Sequence, residues 1–281
     1  MRYAALVAVA VPLLCGCGGG REKKLPTTVT AGSDKGSGPA VTVPDKSEPA
    51  AVAVVERAVK AFTDGHPERL DKAKVSKVAM KGVVLRPTGP LATVRSIQAV
   101  WPDRFALTDE FNEGGPTKVL IRLRRPVLWI GRQRDGQMNP AELDAKVYEA
   151  PTAADATGRH WMTVLVPLAD PRTVVFDAKK QTVNGQVWDV IKAAVPGCPV
   201  YTLWFDEKTG VLGRIDFTHH EPNRQSATLK VFTLSLHRPA GGLMAPGKVV
   251  YQEGTQVLEE WTVDAWEFPE RLDDGGFDAP K

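Results

Sequence analysis

Apolar and polar residues recur along this chain with two different periods, and the change of period marks its organisation. In "AAVAVVERAVKAF", Val52, Val55, Val59 and Phe62 fall at helical spacing, which predicts an amphipathic helix over residues 50–63. Ser47 is placed to cap its start, and Asp64-Gly65 to stop it. "HPERLDKA" predicts a short helical turn after it. The period then falls to two. "VSKVAMKGVVL" and "ATVRSIQAVW", separated by the turn "RPTGP", predict paired strands rich in β-branched residues. In "RFALTDEF", Phe105, Leu107 and Phe111 share a face that Asp109 interrupts. "KVLIRLR" points Val119, Ile121 and Leu123 one way and Lys118, Arg122 and Arg124 the other, as in a sheet with one dry face. "PVLWIGRQRDG" predicts a further strand ending in a turn.

The middle of the chain is less regular. "NPAELDAKVYEA" predicts a helix capped by Asn139 with Pro140 at its first position. "GRHWMTVLVPLADP" fits strand or helix, and "RTVVFDA" and "TVNGQVWDVIKA" read mainly as extended. Strands resume in "CPVYTLWFDEKTGVLGRIDFTHH", with a hairpin loop at Asp206–Gly210. "ATLKVFTLSL", "GKVVYQEG" and "TQVLEEWTVDAWEF" complete the set. Three long strands without intervening helices predict an antiparallel sheet.

The first residues have neither period. Arg2 precedes an apolar run, Ala4–Leu14, that is shorter than the ~20 residues needed to span a bilayer. A charged start, a short apolar stretch and small residues predict a signal peptide over residues 1–16. Cys15 and Cys17 are one residue apart, not at zinc or thioredoxin spacing, and no Cys/His cluster lies nearby. Leu14-Cys15-Gly16-Cys17 resembles the bacterial lipobox, which implies cleavage after Gly16 and lipidation of Cys17. The stretch from Gly18 to Pro49 has no aromatic residue and is rich in Gly, Pro, Ser, Thr and Lys, so residues 17–49 read as a disordered tether with a reach of roughly 30 Å. Residues 50–281 then form the globular domain.

Composition narrows the function. The 281 residues are 43% hydrophobic, enough for a sizeable core, and a formal net charge of +3 gives no argument for a nucleic-acid partner. With Cys15 removed and Cys17 acylated, Cys198 is the one remaining of three cysteines, so no internal disulfide forms.

The order of helix, strands, helical insertion and further strands resembles the lipoprotein-carrier superfamily of bacterial envelopes. The local match is "YTLWFDEKTGVLGRIDF", with Leu203, Trp204, Phe205, Asp206, Thr209, Gly210 and Arg214 at the superfamily's positions. "FDAP", Phe277 to Pro280, is similar to its closing motif, and "VLWIG" also fits. The resemblance implies an α+β fold: a strongly curved antiparallel β-sheet, an unclosed β-barrel, wrapped around an N-terminal helix and a helical insertion. It also implies an apolar cavity, and a monomeric, non-enzymatic protein that uses no cofactor. Its partners would be a membrane, reached through lipidated Cys17, and a lipid or a lipoprotein's acyl chains, in the cell envelope.

Alternation predicts that Trp129, Tyr201, Leu203, Phe205, Ile215 and Phe217 point inward, joined by Trp261 and Val263. Two readings stay open for them: a packed core, or the wall of an acyl-chain cavity. A packed interior would leave the domain an interaction or sensor module of the envelope with no lipid ligand, and an open one would bind the acyl chains. Arg122, Arg124, Arg125, Arg132 and Arg134 cluster with Lys118 around one hairpin, either as a solvated outer face or as a patch for anionic headgroups or an acidic partner. His219-His220-Glu221 makes a poor metal site, because adjacent strand residues face opposite ways. Glu259 and Glu260 are separated by the same rule. Cys198, with His160 or His237, carries no nucleophile signature, and the chain has no phosphate loop, G-x-S-x-G or H-E-x-x-H.

Overall fold

A computed structural model describes residues 41–141, 144–219 and 227–280. The expected signal peptide, Cys17 and its lipobox, and His220 and Glu221 lie outside the described residues. The chain opens on helix α1 (Pro49–Phe62) and a 3₁₀ segment (Pro67–Lys74). Six strands follow: β1 (Val75–Arg86), β2 (Gly89–Val100), β3 (Arg104–Asn112), β4 (Pro116–Arg124), β5 (Val127–Arg134) and β6 (Gln137–Pro140). A helical insertion comes next, made of α2 (Ala145–Ala156), a π turn (Thr157–Trp161) and two 3₁₀ turns (Met162–Val164 and Val166–Ala169). Then come β7 (Val174–Val183), β8 (Gln186–Ala194), β9 (Val200–Asp206), β10 (Leu212–His219), β11 (Thr228–Ser235), β12 (Arg238–Ala240), β13 (Leu243–Ala245), β14 (Lys248–Glu253) and β15 (Gln256–Glu267).

Thirteen of these strands form one sheet in the order β6-β5-β4-β3-β2-β1-β15-β14-β11-β10-β9-β8-β7, while β12 and β13 make a separate hairpin. Every pairing is antiparallel. The sheet is curved and does not close, as expected. Its two edges, β6 and β7, are consecutive in the chain, so the helical insertion must cross from one edge to the other. It does so along the inner face, touching inward side chains of β1, β3, β9, β10, β11, β14 and β15. The core is therefore a single apolar cluster shared by sheet, insertion and α1.

Local chemistry explains four departures from the sequence reading. The buried stripe of α1 is Ala51, Val54, Val55, Ala58 and Phe62, so the helix is turned toward its alanines, and Val52 and Val59 pack at the margin. Ser47 does not cap α1; its Oγ accepts the Val175 N–H of edge strand β7 (3.1 Å), and the carbonyl of Val175 accepts the Glu48 N–H (2.9 Å). This occupies an edge that would otherwise be open. Asn139 and Pro140 start no helix. They end β6, paired with Arg132 and Gly131, where an edge strand tolerates proline. Asp144 instead caps α2 by accepting the Lys146 N–H (3.0 Å).

Gly82 marks the tightest approach within the sheet. It pairs with Thr93 on one side and Trp261 on the other. A Cβ there would lie 2.0 Å from the Glu260 carbonyl oxygen and 2.7 Å from the Trp261 ring. Gly82→Ala is therefore expected to lower stability by about 3 kcal/mol through forced repacking. Urea unfolding checks this, and an unchanged midpoint would refute it.

Candidate functional site on the inner face

Tyr201, Leu203, Phe205, Ile215, Phe217, Trp261 and Val263 all reach the interior and are at most 2% exposed. Trp129 does not join them. Leu128 and Ile130 carry the buried side chains of β5, so Trp129 faces the other way, half-buried over Gly131 and paired with Arg122 on the outer face. Parity is local to each strand, and the turn before β5 resets it.

The insertion lies against this wall at close range. The Tyr201 hydroxyl donates to the Ala154 carbonyl (2.7 Å). At Gly158 the backbone approaches Phe217 so closely that a Cβ would lie 2.4 Å from the ring. Trp161 meets Trp101 and Phe105 edge-on at 5.3 and 6.0 Å. Tyr201, Phe217, Phe232 and Tyr251 form a continuous aromatic row across β9, β10, β11 and β14.

Within this apolar interior sits a belt of charges. Arg95 on β2 donates from Nε and Nη2 to both oxygens of Asp109 on β3 (2.7 Å each), and from Nη1 to Glu259 on β15 (2.6 Å). Arg159 of the insertion donates from Nη1 to the same Glu259 oxygen (2.8 Å) and from Nε to Asp155 (3.1 Å). Trp261 Nε1 also donates to that oxygen (2.7 Å), and Lys230 Nζ on β11 reaches the other oxygen of Asp155 (3.1 Å). The guanidinium of Arg95 stacks on Trp261 (4.1 Å), and that of Arg159 on Phe232 and Tyr251 (5.3 and 5.0 Å). Burial pushes the Glu259 carboxyl up, but Arg159 and Arg95 outweigh it and hold the group at about 2. Asp155 is likewise held well below the usual carboxylate range, with burial opposed by Lys230 and Arg159.

Sequence reasoning missed this belt except for the interruption at Asp109. The signal was there: Arg95, Asp109, Lys230 and Glu259 each occupy an inward position of an alternating strand, with opposite signs on neighbours. Glu259 and Glu260 do separate, one inward and one exposed.

The arginine hairpin is neutralised locally. Arg122 donates to the carbonyls of Leu107 and Ile121 and to Thr108 Oγ1 (2.8, 3.0 and 3.1 Å). Arg124 pairs with Asp278, Arg125 with Glu149, Arg132 with Glu113 and Arg134 with Asp135, while Lys118 pairs with Glu110. Cys198 Sγ contacts Thr157 Oγ1 (3.6 Å), and burial raises its thiol, which works against nucleophilic use. His219 ends β10, half-buried. Among the described residues, no group of three or more His, Cys, Asp or Glu is placed to hold a metal ion, and no helix is long and apolar enough to cross a membrane.

His160 is buried and pairs with Ser76 instead of Cys198. Its Nε2 lies 2.8 Å from Ser76 Oγ on β1, and its ring stacks on Trp266 (5.5 Å) and meets Phe105 edge-on. Burial alone depresses its protonation to about 3. Unfolding frees the imidazole to bind a proton near 6.5, so stability is full above that value and falls as pH drops toward 3. His237 is depressed in the same direction by burial. The expected loss from His160 is on the order of 5 kcal/mol across that window. A His160→Phe variant should flatten the stability–pH curve between pH 6.5 and 4.5, and an unchanged slope would count against it.

No family model and no curated protein matches the chain. Among solved structures, it is similar to an outer-membrane lipoprotein-sorting protein domain from Vibrio parahaemolyticus at 10% identity and a TM-score of 0.46, over 78% of this chain and 97% of that one. It is also similar to a DUF1329 family protein from Desulfovibrio piger at 11% identity and a TM-score of 0.49, over 82% and 98%. A third, a LolA superfamily protein from Nitrosomonas europaea, shares 10% identity at a TM-score of 0.48 over 82% of this chain and 97% of that chain.

Proposed function

We propose that this protein is a non-enzymatic envelope lipoprotein, anchored through lipidated Cys17, whose half-barrel carries a hydrophobic ligand, such as a lipid or a lipoprotein's acyl chains. On this reading the helical insertion occupies the place that the ligand would take. The observation carrying the reading is how the insertion is seated. After α2 it lies on an aromatic wall as a chain of short, irregular helical turns, with Leu165 in left-handed conformation (φ 58°) between two of them. Such a segment has little helical stability of its own. Beside its polar ties to the sheet, part of its hold is apolar packing, as at Gly158 on Phe217, and an acyl chain could replace that part. The membrane anchor rests on the lipobox alone.

A second reading is favoured by the packing. Gly158 to Met162 of the insertion are all buried against the wall, and the small pocket where α1, the insertion and β10 meet, lined by Ala58, Phe62, Thr163, Leu165 and Leu212, holds about 10 Å³. A permanently filled barrel would serve as an interaction or sensor module, with no lipid ligand. Native mass spectrometry of the full chain, extracted from membranes in mild detergent, separates the two. The carrier reading expects bound acyl species, and more of them in Gly158→Val, where the added side chain pushes the insertion off Phe217. No acyl adduct on either protein would overturn it in favour of the filled module. Cys17→Ala should release the folded protein from the membrane fraction, and unchanged retention would dismiss the anchor.

A further inference from the structure

The geometry points to a phosphate-bearing amphiphile as the ligand, its head group held by Arg159 and Lys230 where the Asp155 carboxylate now sits. This rests on the carrier reading and names the chemistry of that same site. Three donor positions converge there: Nε and Nη2 along one edge of the Arg159 guanidinium, and Nζ of Lys230. Asp155 offers two oxygens. Oδ2 takes Nε (3.1 Å) and Oδ1 takes Nζ (3.1 Å). Nη2 is buried and has no hydrogen-bond partner among the described residues, although the Arg159 side chain is only 7% exposed.

The same guanidinium edge is fully used elsewhere in the belt, where Arg95 donates from both Nε and Nη2 to Asp109 at 2.7 Å each. An orphaned buried donor is costly, and more so on a charged group. A phosphate presents three or more acceptor oxygens and matches the planar fork of arginine. It can serve Nε, Nη2 and Nζ together, which a carboxylate so placed does not.

The surroundings fit an amphiphile. Arg159 stays fixed to the sheet through Glu259 and through stacking on Phe232 and Tyr251, whereas Asp155 belongs to the last turn of α2. A displacement confined to α2, with the following π turn still held through Arg159 and Glu259, removes the carboxylate and leaves both cations in place. Beyond them runs the aromatic row of Phe232, Phe217 and Tyr201, a surface for the attached chain.

The test compares three probes on the full chain: an acyl-glycerol phosphate, the matched monoacylglycerol and inorganic phosphate. Wild type should prefer the acyl phosphate over the monoacylglycerol by roughly tenfold or more, the scale of charged hydrogen bonds. Lys230→Gln should lose that preference while keeping monoacylglycerol affinity. Lys230→Arg should retain the preference, and Asp155→Asn, which weakens the internal competitor, should raise affinity for the acyl phosphate. Thermal unfolding of each variant confirms that it is folded. Equal affinity of wild type for both acyl probes would overturn the head-group site and leave the carrier reading standing. Binding of neither acyl probe would remove the carrier reading itself. Displacement of the acyl phosphate by inorganic phosphate at equal concentration would assign the cations to free phosphate and overturn the amphiphile.

Discussion

Replacing Glu259 with alanine is expected to destabilise the protein by about 3–5 kcal/mol, because the substitution strands two buried guanidiniums at once. One oxygen of Glu259 accepts from Arg95, Arg159 and Trp261, at 2.6, 2.8 and 2.7 Å. All four side chains lie in the interior. Without the carboxylate, Arg95 and Arg159 face each other across a dry site with only Asp109 and Asp155 for balance. The cost belongs to the stranded charges more than to the lost bonds. Replacing Arg95, Asp109, Arg159 and Glu259 together by apolar residues of similar size should therefore cost far less than the sum of single replacements. Equilibrium denaturation of the single and quadruple variants measures both. A quadruple variant as unstable as the summed singles would show that the bonds themselves carry the energy. The acid limb adds a second check. Glu259 titrates at about 2 in the fold, so its contribution is complete above roughly 4.5 and is lost as pH falls toward 2. Glu259→Ala should shorten the difference from wild type over that interval.

The second large effect is expected at Trp161. This side chain is 1% exposed, the anchor of the insertion against Trp101 and Phe105. Trp161→Ala is expected to cost about 3–5 kcal/mol, as large-to-small changes in a packed core do. Its Nε1 has no hydrogen-bond partner among the described residues, so truncation leaves no acceptor stranded. The penalty is one of packing and vacancy. Indole added to the variant should refill the space and raise its thermal midpoint, while leaving wild type unchanged. Failure of indole to stabilise the variant would mean that the insertion collapses into the gap instead of keeping its seat.

Much of this architecture was legible in the sequence, for a physical reason. A sheet with one wet face favours alternation, and β1, β2, β9 and β15 carry it most cleanly. Where the alternation was read from one strand into another it failed, as at Trp129, because each turn sets parity anew. The α1 stripe was misphased because alanine is small enough to face a crowded wall, so the buried side holds Ala51 and Ala58 while bulkier Val52 sits at the margin. The insertion resisted reading because its form is set by the wall it covers. "GRHWMTVLV" has no helical stripe, since it is enclosed from several sides: Gly158, Arg159, His160, Trp161 and Met162 are all buried. The charged belt was hidden for a related reason. Each member looks like a defect in its own strand, and only the pairing of β2 with β3 and the approach of β15 turn those defects into partners.

The pairing of β1 with β15 has a consequence for how the protein is made. The centre of the sheet is joined by its first and last strands, Lys77 opposite Glu267, so the two halves of the barrel meet only when the final strand has been synthesised. Until then β1 and β14 each expose an unpaired edge, a hazard for association with other chains. A premature stop before β15 would not trim the sheet but divide it. The same stop would delete Glu259 and leave Arg95 and Arg159 without their shared carboxylate. Cellular quality control would thus meet a split, charged interior whenever the C-terminal strand is missing, and a degradation assay on such a truncation should find it cleared far faster than one lacking only the residues after Glu267.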